Sequence, residues 1–505
     1  MTDPLTTRLT TAIATPASND GFDPLGELAD VLDPLGMSAS DAGGSVTFHG
    51  ADPIVPSTLR LGGAAAIALA AKSVAVAKLW RLRGGDEQDI TIDLRSAPRR
   101  LCPMYEKKWE LLSGYAPGMN AIAGNGLTLT FHRTADDRWV MPVNLYPKLN
   151  VAAQRLLGTP DDRSAVAAAI AKWNARQLEV AAEEAGVVIP MVRSTTEFLE
   201  EAQYRDVLAV TPLIEITKIG DSSPESLSTG VSDPLLGIRA LGMGHVIAGA
   251  GAGRALALHG ADVLNLWRPN EIEHDATYCT ANVGMRSSTV DPYSADGAAR
   301  IRSLLVDADV FFANRRPGYL EKIGLSAAEC AQLRPGIVHA TVSLHGDSGP
   351  WAQRIGFDQV AGAVSGMMEL EGTEGRPALP PIGVVNDYIV AWLLAAGVTE
   401  ALMRRARHGG SYSVHVSLTR VALWVLGLGI FDHDYAQHTA GTGTLHAYLP
   451  PKTFTADTPL GPYQGVTDQV EMSRTPGHYR TVLVPRGSSR PEWLPRNLTS
   501  RKPLT

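Results

Sequence analysis

The apolar residues of segment 388–407 recur nearly all round a helix of 3.6 residues per turn. This pattern predicts a helix that is buried on every side, because a helix with a solvent-facing side carries a polar stripe. Gly409-Gly410 follow and predict its end. Residues 412–418 then alternate apolar and polar side chains, which predicts a half-buried strand. The chain therefore contains a unit of buried helix, glycine pair and strand.

An acidic residue, Asp387, stands at the start of this buried helix. Free backbone N–H groups at a helix start stabilise an anion, so we expect the carboxylate of Asp387 to stay ionised and nucleophilic. Asp in this position is also a common helix cap. By local chemistry alone the capping role is the more frequent one, and both interpretations stay open at this point.

The same order of elements occurs a first time near the N-terminus. Gly62-Gly63 precede an apolar helix that is predicted to end at residues 79–83, Gly84-Gly85 follow, and residues 89–94 alternate as a strand. When the two stretches are superposed, Asp387 falls on Gly62 or Gly63. The pattern indicates an internal repeat whose acidic position is empty in the first copy. The alternative is that helix, glycine pair and strand form a common local combination without common descent.

A strand, a glycine-rich turn, a helix and a second strand are predicted for residues 237–267. Such a unit is typical of α/β sheet proteins and often binds a nucleotide at the helix start. An NAD site requires an acidic residue after the second strand, but Arg268 stands there. Arg268 suits a phosphate group, either the ribose phosphate of NADP or the 3′-phosphate of CoA. The local pattern leaves these two ligands, and a solvated arginine without a ligand, open.

Composition excludes some classes of function. The chain of 505 residues has a net charge of −7 and no basic footprint, so nucleic acid is not expected as a partner. Its three cysteines lack metal-ligand spacing, so neither a metal site nor a disulfide framework is predicted. Residues 1–20 lack the apolar core of a signal peptide, and the apolar runs are too short or too interrupted for a membrane span. A cytoplasmic protein without a membrane contact is expected.

Six sequence blocks occur in order within residues 235–420. They are His245-Val246-Ile247-Ala248-Gly249, Gly260-Ala261-Asp262-Val263, Asn282 with Arg286-Ser287, Ala308-Asp309-Val310 with Asn314-Arg315-Arg316-Pro317-Gly318, Gly356-Phe357-Asp358 with Ser365-Gly366, and Asn386-Asp387. In order and spacing they resemble the N-terminal half of the family III CoA-transferases, the CaiB/BaiF family. That family includes formyl-CoA transferase, carnitine CoA-transferase and α-methylacyl-CoA racemase. The resemblance implies an α/β fold with a Rossmann-like CoA-transferase large domain plus a smaller α+β domain, in the interlocked architecture of the family.

The resemblance also implies roles for individual residues. Asp387 matches the catalytic carboxylate of the family. The residues at positions that match CoA-binding positions are His245, Val246, Ile247, Ala248, Arg268, Asn314, Lys322 and Phe357. Arg315 replaces a common Phe, and Met285 replaces a common Lys, so part of the CoA site is unusual.

The activity implied by the resemblance is transfer of CoA from an acyl-CoA to a carboxylic acid, through an acyl-aspartyl anhydride and an aspartyl-CoA thioester. Coenzyme A is then a substrate, and neither a metal nor a redox cofactor is needed. The first alternative is an α-methylacyl-CoA racemase, which uses a His where this chain has Phe357, a residue that cannot carry a proton. The others are a catalytically inactive CoA-binding protein and, more remotely, an NADP-dependent oxidoreductase.

The family's domains occur here in an unusual order, which suggests either a permuted protomer or a fusion of a partial copy with an active one. The predicted domains are an N-terminal arm (1–58), a partial repeat of the large domain lacking the nucleophile (59–125), a small α+β domain (126–225), a catalytic CoA-binding domain (234–425) and a C-terminal segment that returns to the large domain (426–505). Within the small domain, strands are predicted at 127–132 and 139–145. Family members form interlocked homodimers, so a homodimer is expected.

Overall fold

The structure is a computed structural model that describes residues 3–19, 21–118 and 126–496. The strands are β1 (Gly43–His49), β2 (Gln88–Asp93), β3 (Leu111–Leu112), β4 (His132–Arg133), β5 (Trp139–Val140), β6 (Glu215–Gly220), β7 (Arg239–Met243), β8 (Asp262–Trp267), β9 (Arg286–Thr289), β10 (Val310–Ala313), β11 (Val338–Ser343), β12 (Ser411–Ser417), β13 (Thr453–Thr458), β14 (Gly461–Val466) and β15 (Val470–Met472). Parts of the predicted segments 1–58, 59–125 and 426–505 lie outside the described residues, and the domain boundaries stay a prediction.

Helices cover both faces of the main sheet and the start of the chain. They are α1 (Pro4–Ala14), α2 (Pro24–Leu32), α3 (Leu61–Leu82), α4 (Pro147–Leu157), α5 (Arg163–Ile170), α6 (Ala175–Glu184), α7 (Thr195–Leu199), α8 (Ala248–Leu258), α9 (Asp275–Ala281), α10 (Ala295–Val306), α11 (Tyr319–Lys322), α12 (Ala327–Leu333), α13 (Asp358–Ser365), α14 (Met367–Leu370), α15 (Asn386–His408), α16 (Leu418–Gly427) and α17 (His433–Thr439). The stretch predicted as an arm contains α1 and α2, whose Leu9 and Leu28 are fully buried.

The main sheet has seven strands in the order β6-β12-β11-β10-β7-β8-β9. Neighbouring strands are parallel except for β6, which pairs antiparallel with β12. Strand β10 is buried along its whole length, as expected for a central strand with helices on both faces. The predicted α/β class is thereby confirmed. The carboxyl ends of the parallel strands meet at one edge of this sheet, where ligands bind in such folds.

A second sheet, β1-β2-β15, belongs to the N-terminal half. Helix α3 packs against β2 of this sheet and also against α15 of the main domain. It is long and apolar enough to span a membrane by length and composition, and it lies almost wholly inside the protein. Leu69 and Leu393 belong to one continuous hydrophobic core, so the two halves of the chain share their interior.

The small domain has its own hydrophobic core, formed largely by α4, α5 and α6. The long strands predicted at 127–132 and 139–145 are wrong, because only β4 and β5, of two residues each, form there. The reason is local: Leu129 adopts a left-handed backbone conformation, with φ of 49°, and its N–H donates to the carbonyl of Pro142. Among the described residues beyond β4 and β5, the two segments are joined only by an isolated bridge between Thr128 and Val143, and the N–H groups of Met141 and Val143 donate to the 188–190 segment.

Candidate active site

Asp387 is the second residue of α15 and is buried, with 7% of its surface exposed. The residue before the helix, Val385, provides no side-chain cap. The helix is buried over most of its length, as its all-round apolar pattern predicts. Asp387 therefore lies at the start of a buried helix, and core packing sets its position.

The N–H groups at the start of α15 are bound by a different carboxylate, that of Asp358. Its Oδ2 accepts from the backbone N–H of Asn386 at 2.5 Å and of Asp387 at 2.8 Å, and its Oδ1 accepts from Val385 at 3.3 Å. The expectation that these N–H groups keep the Asp387 carboxylate ionised is thus wrong. A residue 29 positions earlier takes the donors, which the local sequence around α15 does not reveal.

The two buried carboxyl groups titrate together. Burial raises the pKa of Asp358 to about 6, although three backbone N–H groups favour its charged form. Burial and the charge of Asp358 raise the pKa of Asp387 well above its usual range. Asp358 holds the negative charge because it has the hydrogen-bond donors. The neutral form of Asp387 is thereby favoured, and the carboxyl group must be ionised before it can act as a nucleophile.

Tyr146 of the small domain connects Asp387's surroundings to the predicted CoA site. Its ring stacks on Phe357 at 5.9 Å between centroids and tilts against His245 at 5.6 Å. Its hydroxyl donates to Glu273 Oε1 at 2.8 Å. Burial raises the pKa of Tyr146 far above its usual value, and the charges of Glu273 and Asp387 add to this effect. The sequence gives no indication of this role. It shows only that Tyr146 precedes Pro147, the first residue of α4.

The turn after β7 contains residues predicted to bind CoA. Val246 adopts a left-handed conformation with φ of 58°. The side chain of Asn314 fixes the turn, because its Oδ1 accepts from the N–H of His245 at 2.8 Å and its Nδ2 donates to the same residue's carbonyl at 2.7 Å. A Cβ at Gly249 would lie 2.5 Å from Asn314 Oδ1, so glycine is required. Ile247 and Ala248 are buried, and they can offer a ligand only their backbone.

Glu271 and Glu273 bind the polar groups at this edge of the sheet. The sequence pattern predicted a role for neither of them. Glu273 Oε2 accepts from the N–H of Val246 at 2.7 Å. Glu271 Oε1 accepts from Arg268 Nη2 at 3.0 Å and also pairs with Arg315. Although burial opposes it, the Arg315 charge and hydrogen bond lower the pKa of Glu271 to about 2. This pairing gives the buried Arg315 side chain a partner of opposite charge.

Lys322 ends α11 and is exposed. No ion pair or side-chain hydrogen bond joins it to another described residue. The structure thus brings His245, Val246, Arg268 and Asn314 to one sheet edge, and Tyr319, on the same short helix as Lys322, contacts Arg268 there.

The N-terminal half reaches the same site and repeats its architecture. A Cβ built on Gly383, in the loop before α15, would lie 3.2 Å from the ring of Tyr105. At the start of α3, Asp52 accepts from the N–H groups of Gly62 at 3.0 Å and Gly63 at 2.6 Å, as Asp358 does at α15. The space where Gly63 lacks a side chain is taken by the ring of Phe22, 2.8 Å from a Cβ built there.

A second polar cluster lies at the edge strand β6. His415 Nδ1 bonds Glu215 at 2.7 Å, and its Nε2 contacts Ser343 Oγ at 2.8 Å and Asp347 at 3.2 Å. The order Ser, His, acid resembles a nucleophile with its base. However, the carboxylates on both ring nitrogens raise the pKa of His415 to about 9, despite its burial. A cationic imidazole cannot accept the serine proton, so we assign this cluster to stability.

Part of this chain is similar to known proteins. Residues 235–474 match the sequence profile of CoA-transferase family III. The succinyl-CoA–L-malate CoA-transferase alpha subunit of Chloroflexus aurantiacus is 31% identical over 228 residues, covering 41% of this chain and 53% of that protein. Succinyl-CoA:glutarate CoA-transferase of Homo sapiens is 31% identical over 233 residues, covering 43% and 53%. A crystal structure of a hypothetical protein from Mycobacterium tuberculosis is 30% identical, with a TM-score of 0.36, and covers 38% of this chain and 57% of that one. The chain spans about half the length of the curated relatives it matches.

Proposed function

We propose that the protein is an acyl-CoA:carboxylate CoA-transferase with Asp387 as its nucleophile, because residues 235–474 match the sequence profile of CoA-transferase family III. The observation that carries the proposal is the buried carboxyl group at the start of α15, coupled to Asp358. Such a group can form a covalent acyl intermediate away from water. The relatives that share this segment are named for transfer from succinyl-CoA. Succinyl-CoA is therefore the first donor to test.

The proposed reaction proceeds through four acyl exchanges at one carboxylate. Ionised Asp387 attacks the thioester carbonyl of the donor. A mixed anhydride forms, and CoA leaves as the thiolate. The thiolate then attacks the aspartyl carbonyl, which releases the donor acid and leaves an aspartyl-CoA thioester. The acceptor carboxylate displaces the thiolate to form a second anhydride, and the thiolate attacks the acceptor acyl group. Acceptor-CoA leaves, and Asp387 returns as a carboxylate.

The surroundings of Asp387 suit this chemistry. Phe357 and Tyr146 form an aromatic wall that excludes water, and an anhydride needs this protection from hydrolysis. The racemase alternative lacks a second proton carrier at Phe357. An inactive CoA-binding protein would bind CoA without forming an adduct, so the same experiment separates it. We further propose that each chain holds one catalytic centre, because Phe22 fills the corresponding space at α3. The homodimer and the cytoplasmic location stay predictions.

The test is mass spectrometry of the protein after incubation with succinyl-CoA and a panel of other acyl-CoAs, followed by a hydroxylamine quench. We expect a hydroxamate on the peptide that carries Asp387 and none in Asp387→Ala. Asp52→Asn is the matched control, because it changes the corresponding cap of α3 and leaves Asp387 intact. If CoA binds and no donor leaves an adduct on the wild-type protein, the covalent mechanism is refuted.

A further inference from the structure

The groups best suited to hold the phosphates of CoA are already bound by the chain's own carboxylates. One is the backbone N–H of Val246, in the turn before the glycine-rich α8, where backbone donors and the helix dipole favour an anion. Glu273 fills this position, and its Oε2 also lies 3.4 Å from Nε2 of His245. The other group is the arginine pair Arg268 and Arg315, which both bond Glu271.

These contacts have the chemistry of a phosphate site with a carboxylate in place of the ligand. Two guanidinium groups converging on one acceptor are typical of phosphate recognition. Arg268 donates to Glu271 with its backbone N–H at 3.0 Å, with Nε at 3.3 Å and with Nη2 at 3.0 Å, so its donors on this side are used. A phosphate could bind the arginine pair only by displacing or sharing these bonds.

Both carboxylates lie on one short segment between β8 and α9. Residues 268–274 contain no strand or helix, and the side chain of Ile272 between the two glutamates is 51% exposed. The segment is held by further polar contacts. Glu273 accepts from the hydroxyls of Tyr146 and Thr277, and the carbonyl of Ile272 lies 3.0 Å from His245 Nε2. Displacing the segment breaks these contacts.

We propose that Glu271 and Glu273 occupy the phosphate positions of the free protein, and that CoA binds by displacing them and the segment 268–274. This inference rests on the proposed function. Glu273, at the turn before α8, corresponds to the diphosphate of CoA, and Glu271, between the two arginines, corresponds to its 3′-phosphate. The two glutamates thus set the affinity of the protein for CoA and are positioning residues without a role in the acyl chemistry.

The test is calorimetric titration of CoA and 3′-dephospho-CoA into the wild-type protein, Glu271→Gln and Glu273→Gln. Since bonds to charged groups are lost with each glutamate's charge, Glu273→Gln should bind both ligands about tenfold more tightly. Glu271→Gln should gain about tenfold for CoA and less than about twofold for 3′-dephospho-CoA. The matched control is Asp296→Asn, which removes an exposed negative charge from α10 and should leave both affinities unchanged.

A measurement on the wild-type protein keeps the proposal testable if a variant folds poorly. Hydrogen–deuterium exchange of the peptide that covers residues 268–274 should rise when CoA is added. Affinities that stay equal or weaken in both variants, or exchange that falls in this peptide, would overturn the inference and leave the proposed function standing. Failure of CoA to bind any of these proteins would overturn the proposed function and this inference together.

Discussion

The carboxyl pair Asp358 and Asp387 makes the pH dependence of the reaction a sharp test. The perturbation is Asp358→Asn, which keeps the shape of the side chain and one acceptor oxygen but removes its negative charge. In the wild-type protein, burial and the charge of Asp358 both raise the pKa of Asp387 and so oppose its ionisation. Removing the charge of Asp358 lowers the pKa of Asp387, so its nucleophilic form appears at lower pH.

The magnitude follows from the closeness of the pair. Asp358 Oδ2 lies 2.8 Å from the backbone nitrogen of Asp387, so the two carboxyl groups are near neighbours. Two unit charges about 6 Å apart interact by about 3 kcal/mol at an effective dielectric constant of about 20, which corresponds to about two pKa units. We therefore expect the acid limb of the reaction to move down by about one to two pH units. The weakened helix cap should cost about 1–2 kcal/mol of stability.

The assay is the rate at which the adduct forms on Asp387 in a single turnover, measured by quenched-flow mass spectrometry between pH 5 and about 9, a range that brackets an ordinary and a raised carboxyl pKa. Asp52→Asn weakens the matching cap of α3 and supplies the control. Its stability should fall by a similar amount while its pH profile stays in place. An acid limb that does not move in Asp358→Asn, or that moves equally in Asp52→Asn, would refute the electrostatic coupling.

Further predictions concern stability, measured by urea unfolding. The pKa of His415 is raised to about 9. The histidine therefore adds about 3 kcal/mol to the free energy of unfolding below about pH 6.5, and this contribution is lost as the pH rises through 9. The variant His415→Gln should remove this part of the pH dependence of stability. Lys72→Met should cost about 3–5 kcal/mol, because it leaves the buried carboxylate of Asp468 without its lysine. Gly63→Ala should cost about 1–3 kcal/mol by crowding Phe22, and the double variant with Phe22→Ala should cost less than the sum of the two changes.

Each stability prediction has an outcome that contradicts it. If the free energy of unfolding depends on pH in the same way in the wild-type protein and in His415→Gln, the histidine does not contribute to that dependence. Lys452→Met, at an exposed pair with Glu471, is the control for the buried lysine and should cost less than about 1 kcal/mol. A loss as small for Lys72→Met would show that its pair does not matter. Additive costs for Gly63 and Phe22 would show that the ring does not occupy the space at α3.

Local pattern was sufficient for the elements that carry the site. The helix predicted at 388–407 is α15 (Asn386–His408), and the strand predicted at 412–418 is β12 (Ser411–Ser417). The glycine-rich unit predicted over residues 237–267 ends at residue 267, where its second strand, β8 (Asp262–Trp267), also ends. These elements are long or strongly periodic and bounded by glycine, so that burial and local preference agree.

The polar partners were beyond local pattern. Asp358 binds the start of a helix 29 residues further on, and Glu273 reaches a turn 27 residues earlier. Periodicity describes which face of an element is apolar, and it says nothing about which of several acidic residues reaches a given N–H. The predicted ionisation of Asp387 failed for this reason. Tyr146 was missed because its contacts with Phe357 and His245 join different domains.

The ion pair between Lys72 and Asp468 has a consequence for folding during synthesis on the ribosome. The two residues are 396 positions apart in sequence, and both are buried in the finished fold. At about 5–20 residues per second, the lysine leaves the ribosome about 20 to 80 seconds before its partner exists. Helix α3 lacks α15 (Asn386–His408) for most of this interval and lacks its counter-charge for all of it. The nascent N-terminal half therefore presents an apolar helix to the cell, and we expect chaperones to hold it until translation has supplied the remainder of the core.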